Sequence, residues 1–142
     1  MSTIDKELVR QKIKMADGYL EDMKIYLKEE KNASGMSTET RYALERVFHL
    51  AVEKMLEVNN YFIRVLNAKP VDDLQSTFIS MGDLGILPQD FARKISPITG
   101  VRNILVHQYE KLDFDLFLRN LRENIGDFET YFSHVLTFIE KK

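Results

Sequence analysis

The chain has neither cysteine nor tryptophan among its 142 residues. Without cysteine, disulfides and thiolate metal sites are both excluded. Proline occurs three times and glycine six times, so the sequence offers few places to stop an element. It holds no Gly-rich phosphate loop and no Gly-x-Ser-x-Gly elbow. No apolar run approaches the roughly 18 residues that span a bilayer, and "MSTIDKELVRQK" has none of the features of a secretory signal. A cytoplasmic setting without a membrane partner is therefore the expectation. Excess charge of one sign is also lacking. The formal net charge is −2, which argues against indiscriminate wrapping of nucleic acid. From position 91 to 111 the balance is nevertheless +3, since Arg93, Lys94, Arg102 and Lys111 face Glu110 alone. A patch of that size can touch a few phosphates without binding nucleic acid tightly.

What is present is a globular balance, 44% hydrophobic and 30% charged. Residues 1–142 are read as one domain with one core. The patterning is helical throughout, with no useful strand-like alternation. Ile4, Leu8, Met15, Tyr19, Met23 and Tyr26 recur at near-heptad spacing in a first helix, with Ser2 as its expected cap. "KNASG" reads as a connection. A long second helix, about Thr38 to Asn67, carries Leu44, Val47, Phe48, Ala51, Val52, Met55, Asn59, Phe62, Ile63 and Leu66 on one stripe. Phe78, Met81 and Leu84 suggest a short helix stopped by Gly85. Pro88 suits the first turn of the next helix, which Pro97 is expected to kink rather than break. Asp113 can cap a last helix whose stripe runs Phe114, Phe117, Leu121, Ile125, Phe128, Phe132, Val135, Ile139. The fold class is all-α, a bundle-like arrangement of about five helices.

Within it, "VRNILVHQYEKLD", residues 101 to 113, sets an arginine, an asparagine, a histidine and a tyrosine close together. With steps of about 100° and Arg102 as origin, Val101, Ile104, Leu105 and Ile98 fall at about 260°, 200°, 300° and 320°. That arc is expected to face the core. Val106, Asn103 and His107 fall at about 40°, 100° and 140°, on the other side, and Tyr109 at about 340°, beside Arg102, so Arg102, Asn103 and His107 are expected on a side that the core does not need. A lone helical histidine is more often structural than catalytic, and outward polar residues can simply be solvated. Val106 among them suggests a covered face, such as a second subunit would supply. His49 and His134 share no metal-ligand spacing with each other or with His107, so no metal is expected. Acidic pairs such as Asp72-Asp73 read as solvated loop or helix ends. Glu53 and Asn60 read as decoration of the second helix, with a place at a dimer cleft as the alternative.

The order Arg102, Asn103, four residues on His107, then Tyr109 resembles the signature of HEPN-domain proteins, specifically HepT-like toxins. "GILPQDFARKISPITGVRN" before it and "ALERVFHLAVEKMLEVNNYFI" further upstream resemble the same family, over about Ala43 to Asp113. One departure is Tyr61, where many relatives place a histidine after the asparagine.

The resemblance implies a symmetric homodimer whose motif helices face each other across a cleft. It implies a metal-independent endoribonuclease without a cofactor, the toxin of a toxin–antitoxin pair. The implied partner is an MntA-like nucleotidyltransferase antitoxin that transfers AMP units onto the motif tyrosine, here Tyr109. The implied catalytic residues are Arg102, His107 and Asn103. These residue types suit RNA cleavage by attack of the 2′-hydroxyl on the adjacent phosphorus. Imidazole exchanges protons near neutral pH, guanidinium stays charged against a phosphorane, and Asn103 can orient His107 or the phosphate. The alternative is a catalytically silent HEPN-like module that partners a nucleotidyltransferase or binds nucleotide.

Overall fold

Short side chains with an oxygen acceptor begin four of the helices. In the computed structural model, which describes residues 3–29 and 33–142, α1 (Lys6–Glu29) opens at Asp5. The Asp5 carboxylate accepts from the Leu8 backbone N–H at 3.0 Å. The cap expected at Ser2 lies outside the described residues. Ser37 caps α2 (Thr38–Val65) through Thr40 N–H at 3.1 Å, and Asp73 caps α3 (Leu74–Asp83) through Ser76 N–H at 2.7 Å. Asp113 caps α6 (Phe114–Asn124) through Leu116 N–H at 3.1 Å. Each oxygen satisfies a backbone donor that the helix itself leaves unpaired.

Two helices end on left-handed residues. Gly85, at φ +77°, closes α3: its N–H reaches Gly82 O, and Ile86 N–H reaches Met81 O, both at 3.0 Å. Asn67, at φ 55°, closes α2 in the same way, with Ala68 N–H on Ile63 O at 2.9 Å.

Patterning predicts about five helices, but seven α-helical segments stand among the described residues. Two predicted helices are divided. Pro97 separates α4 (Gln89–Ile95) from α5 (Ile98–His107), so it cuts the helix rather than kinking it. Ser96 and Pro97 keep right-handed backbone angles, and tight bonds from Thr99 N–H to Ser96 O and from Gly100 N–H to Pro97 O restart the helix. Pro88 sits one place outside α4 rather than in its first turn. The second division, at Ile125 between α6 and α7 (Gly126–Glu140), involves no proline. The flanking Asn124 and Gly126 are weak helix formers, and the chain turns between them.

α2 is the axis of the bundle. α1, α3 and α5 pack against it, and α7 packs against α1. Its buried side chains include Leu44, Phe48, Val52, Met55, Phe62 and Ile63, close to the predicted stripe. Phe48 meets Phe117 and Phe128 edge-on, at centroid distances of 5.2 and 6.2 Å. α1 departs from its predicted stripe. Val9, Ile13, Ala16, Leu20, Met23 and Leu27 are buried, and Met15 is exposed. Leu8, Tyr19 and Tyr26 flank the core instead of centring it. Packing against both α2 and α7 selects the compact aliphatic side, with Ala16 admitting close approach. Tyr61 is structural here: its hydroxyl accepts from Asp5 N–H at 2.5 Å and ties the start of α1 to α2.

Candidate functional site

Along α2, Arg41, Glu45, His49 and Glu53 recur every fourth residue, which places them on one ridge at the edge of the apolar stripe. The "VRNILVHQY" segment lies antiparallel to that ridge. Arg102, early in the segment, meets Glu53, while Tyr109, at its end, meets Glu45. Eight residues separate the two acids, about 12 Å of helix at 1.5 Å per residue.

At one end of the ridge, Arg102 Nε donates to Glu53 Oε1 at 2.6 Å, and Arg102 Nη2 pairs with the same oxygen. Nη1 donates to Asn103 Oδ1 at 3.0 Å. The Arg102 side chain is only 15% exposed, so it points toward α2. This corrects the predicted outward position. Thr99 is the only residue of α5 that is fully buried; Ile98, Val101 and Leu105 are half-buried against the core. The covered sector of α5 is thus centred nearer Arg102 than apolarity alone predicts. Asn103 bonds Arg102, not His107. His49 completes the cluster, with Nε2 at 3.4 Å from Glu53 Oε1 and Nδ1 at 3.4 Å from Arg46 Nη1.

α5 ends at His107, whose side chain is exposed and makes no hydrogen bond among the described residues. Gln108 leaves the helix at φ −139°, ψ 43°, and residues Tyr109–Lys111 form a single tight turn. Tyr109 is therefore not on the helix and not beside Arg102, because the helical phase is lost at Gln108. Its hydroxyl donates to Glu45 Oε1 at 2.8 Å. Glu45 is 7% exposed, and burial pushes its carboxyl up, against the pull of the Tyr109 hydrogen bond and the Arg41 charge. The Tyr109 phenol is pushed up to about 12, first by removal of its hydroxyl from water and then by Glu45. Its ring remains 44% exposed. The hydroxyl opens on a recess of about 250 Å³ walled by Arg41, Tyr42, Leu112 and Phe114, with the Arg41 guanidinium 4.7 Å above the Phe114 ring.

Beside this ridge, a 330 Å³ groove lined by Phe48, Ile98, Val101, Phe117 and Leu121 separates α5 from α6. No group of three or more His, Cys, Asp or Glu among the described residues is placed to hold a metal ion. None of the helices described is long and apolar enough to cross a membrane.

The profile of the ribonuclease HepT-like family matches residues 16–135, which takes in all of α2 and α5. The chain belongs to that family. This HepT-like chain is 25% identical over 113 residues to the tRNA nuclease HepT of Aphanizomenon flos-aquae, covering 80% of this chain and 77% of that one. Its fold is similar to that of YutE, a cytosolic protein of Bacillus subtilis, with TM-score 0.85 at 16% identity and coverage of 99% and 94%. It is also similar to the tri-AMPylated Shewanella oneidensis HEPN toxin solved in complex with its MNT antitoxin, with TM-score 0.81 at 15% identity and coverage of 94% and 98%. At these identities the solved structures establish an all-α HEPN-like fold.

The contacts of Glu53, His49 and Glu45 beside the motif are not read from the sequence, where Glu53 reads only as helix decoration or a cleft residue. Their available signal was the four-residue recurrence of ionisable side chains bordering an apolar stripe. That pattern becomes meaningful once α5 is known to lie along it.

Proposed function

We propose that this HepT-like chain is a metal-independent endoribonuclease, the toxin of a toxin–antitoxin pair. Arg102 and Asn103 bind the scissile phosphate, and His107 moves the proton as the 2′-hydroxyl attacks phosphorus and the bond to the 5′-oxygen breaks, leaving a cyclic phosphate and a free 5′-hydroxyl. The observation that carries this reading is the split of the family motif over α5. Arg102 is anchored and held in orientation, while His107 stands free at the helix end, able to reach a substrate. Acid and base are both needed, and one exposed imidazole per chain supplies one of them. A symmetric homodimer supplies two. Val106, 40% exposed beside His107, supports burial of this face against a second copy.

Control comes from a nucleotidyltransferase antitoxin that attaches AMP to Tyr109. The half-exposed ring at the mouth of a recess supports that role, and the attached phosphate and nucleoside would crowd the approach to α5. The silent-module reading takes the same bonds the other way: Arg102 is already engaged by Glu53 and Asn103 in the single chain.

Cleavage of labelled RNA in excess chelator separates the two. Protein made without an antitoxin, with intact mass showing unmodified Tyr109, is expected to cut. His107→Ala is expected to lose about 10²- to 10⁴-fold while keeping its circular dichroism. Folded, unmodified dimer that leaves a broad set of RNAs intact would favour the binding module.

A further inference from the structure

Two donors of one guanidinium converge on a single oxygen of α2. Glu53 Oε1 takes Arg102 Nε and Nη2 along one edge of the guanidinium, and His49 Nε2 lies 3.4 Å from the same atom. Glu53 is 33% exposed and Arg102 15%, so water competes for this contact only in part. A guanidinium has five N–H donors in a fixed planar fork. The edge formed by Nε and Nη2, the usual side-on grip for a carboxylate or phosphate, is spent on Glu53. One donor of Nη1 is spent on Asn103. What remains is one N–H on each terminal nitrogen.

We propose that Glu53 is a positioning residue of the nuclease site. It fixes which pair of Arg102 N–H groups meets the phosphate and leaves the terminal pair for it. This inference rests on the ribonuclease reading above. Chemistry at phosphorus needs the charge placed where the phosphorane forms, and the preorganisation must exist before substrate arrives. An arginine side chain left to itself samples many rotamers, whereas one edge clamped across 49 residues of sequence has one orientation. Arg102 stays cationic beside Glu53, but its field is directed rather than diffuse.

Glu53 never touches RNA in this arrangement, so its loss should appear in turnover more than in binding. Displacing a group by about 1 Å can cost on the order of 10²-fold in rate. The test compares full-length wild type, Glu53→Ala and Glu53→Gln on one RNA. All are measured at a temperature where circular dichroism shows every variant folded. Glu53→Ala is expected to lower kcat about 10²-fold with KM within about threefold. Glu53→Gln, which retains an oxygen at the place of Oε1, is expected to recover about tenfold of that loss. A Glu53→Ala kcat within about threefold of wild type overturns the inference, as does a rise in KM alone. If Glu53→Ala does not fold, Glu53→Gln decides: a loss of about tenfold supports the positioning role, and an unchanged kcat removes it. Wild-type protein that cleaves nothing brings down the nuclease reading and the inference together, whereas a cutting wild type with indifferent variants brings down the inference alone.

Discussion

Among single residues, Glu45 carries the clearest pH signature. Burial raises its folded-state pKa, and the Tyr109 hydrogen bond and Arg41 only partly oppose that. A raised folded-state pKa means that folding takes up protons. The stability contributed by the protonated form is therefore complete below the ordinary carboxylate range and is lost as pH rises through the folded value. Burial thus disfavours the charged form of this carboxyl. Glu45→Gln keeps an oxygen for the Tyr109 hydroxyl without that charge. Its melting temperature is expected to exceed that of wild type at neutral pH, with the gap closing as the medium is acidified toward pH 4. Thermal scans across that window decide the point. A variant less stable than wild type at pH 7 would mean that the charge on Glu45 is favourable where it sits, through Arg41. That would reverse the assignment of burial as the larger effect.

At the level of elements, the cap of α6 was legible in the sequence, whereas those at Asp5, Ser37 and Asp73 were not read from it. Asp113 stands immediately before an amphipathic stripe, and its carboxylate caps α6 as patterning predicts. Asp113→Ala is expected to cost about 1 kcal/mol, seen as a lower denaturation midpoint with an unchanged slope. An unaffected midpoint would show that α6 is held by Phe117, Leu118 and Leu121 alone. The end of α3 at Gly85 was readable for a similar reason, since glycine takes a positive φ at little cost. What could not be read were choices made by a neighbour. α1 has an apolar arc wide enough for two registers, and only its contacts with α2 and α7 select the one centred on Ile13, Ala16 and Leu20. The same holds for α5. Its wheel offers an apolar side and a polar side, yet Arg102 is drawn inward because Glu53 waits on α2. A charge pair across 49 residues has no local signature. Tyr109 fails the wheel differently, since the helix ends at His107 without a glycine or proline to announce it.

Across the whole molecule, one chain of hydrogen bonds joins three helices through the core. The Tyr131 hydroxyl, fully buried on α7, donates to Asn59 Oδ1 of α2 at 2.5 Å, with the Met55 carbonyl 3.1 Å away. Burial holds that phenol well above its ordinary pKa, so it stays protonated and able to donate. Asn59 Nδ2 passes the chain to Thr77 Oγ1 at 3.1 Å, and Thr77 Oγ1 donates to the Leu74 carbonyl at 2.7 Å, both on α3. Tyr131, Asn59 and Thr77 are buried and their donors run in one direction, so the network fixes how α7 and α3 are set against α2. Tyr131→Phe removes one oxygen and leaves Asn59 Oδ1 without its donor in a place water does not reach. The expected cost is about 1–3 kcal/mol in chemical denaturation. Asn59→Leu alone leaves Tyr131 with the Met55 carbonyl and Thr77 with the Leu74 carbonyl as acceptors, and should cost about 1 kcal/mol. The double variant replaces donor and acceptor by apolar groups of matching shape, so its loss should be smaller than the sum of the two single losses. Strictly additive losses would mean that the tyrosine and the asparagine contribute only their packing. The three helices would then be oriented by side-chain shape alone.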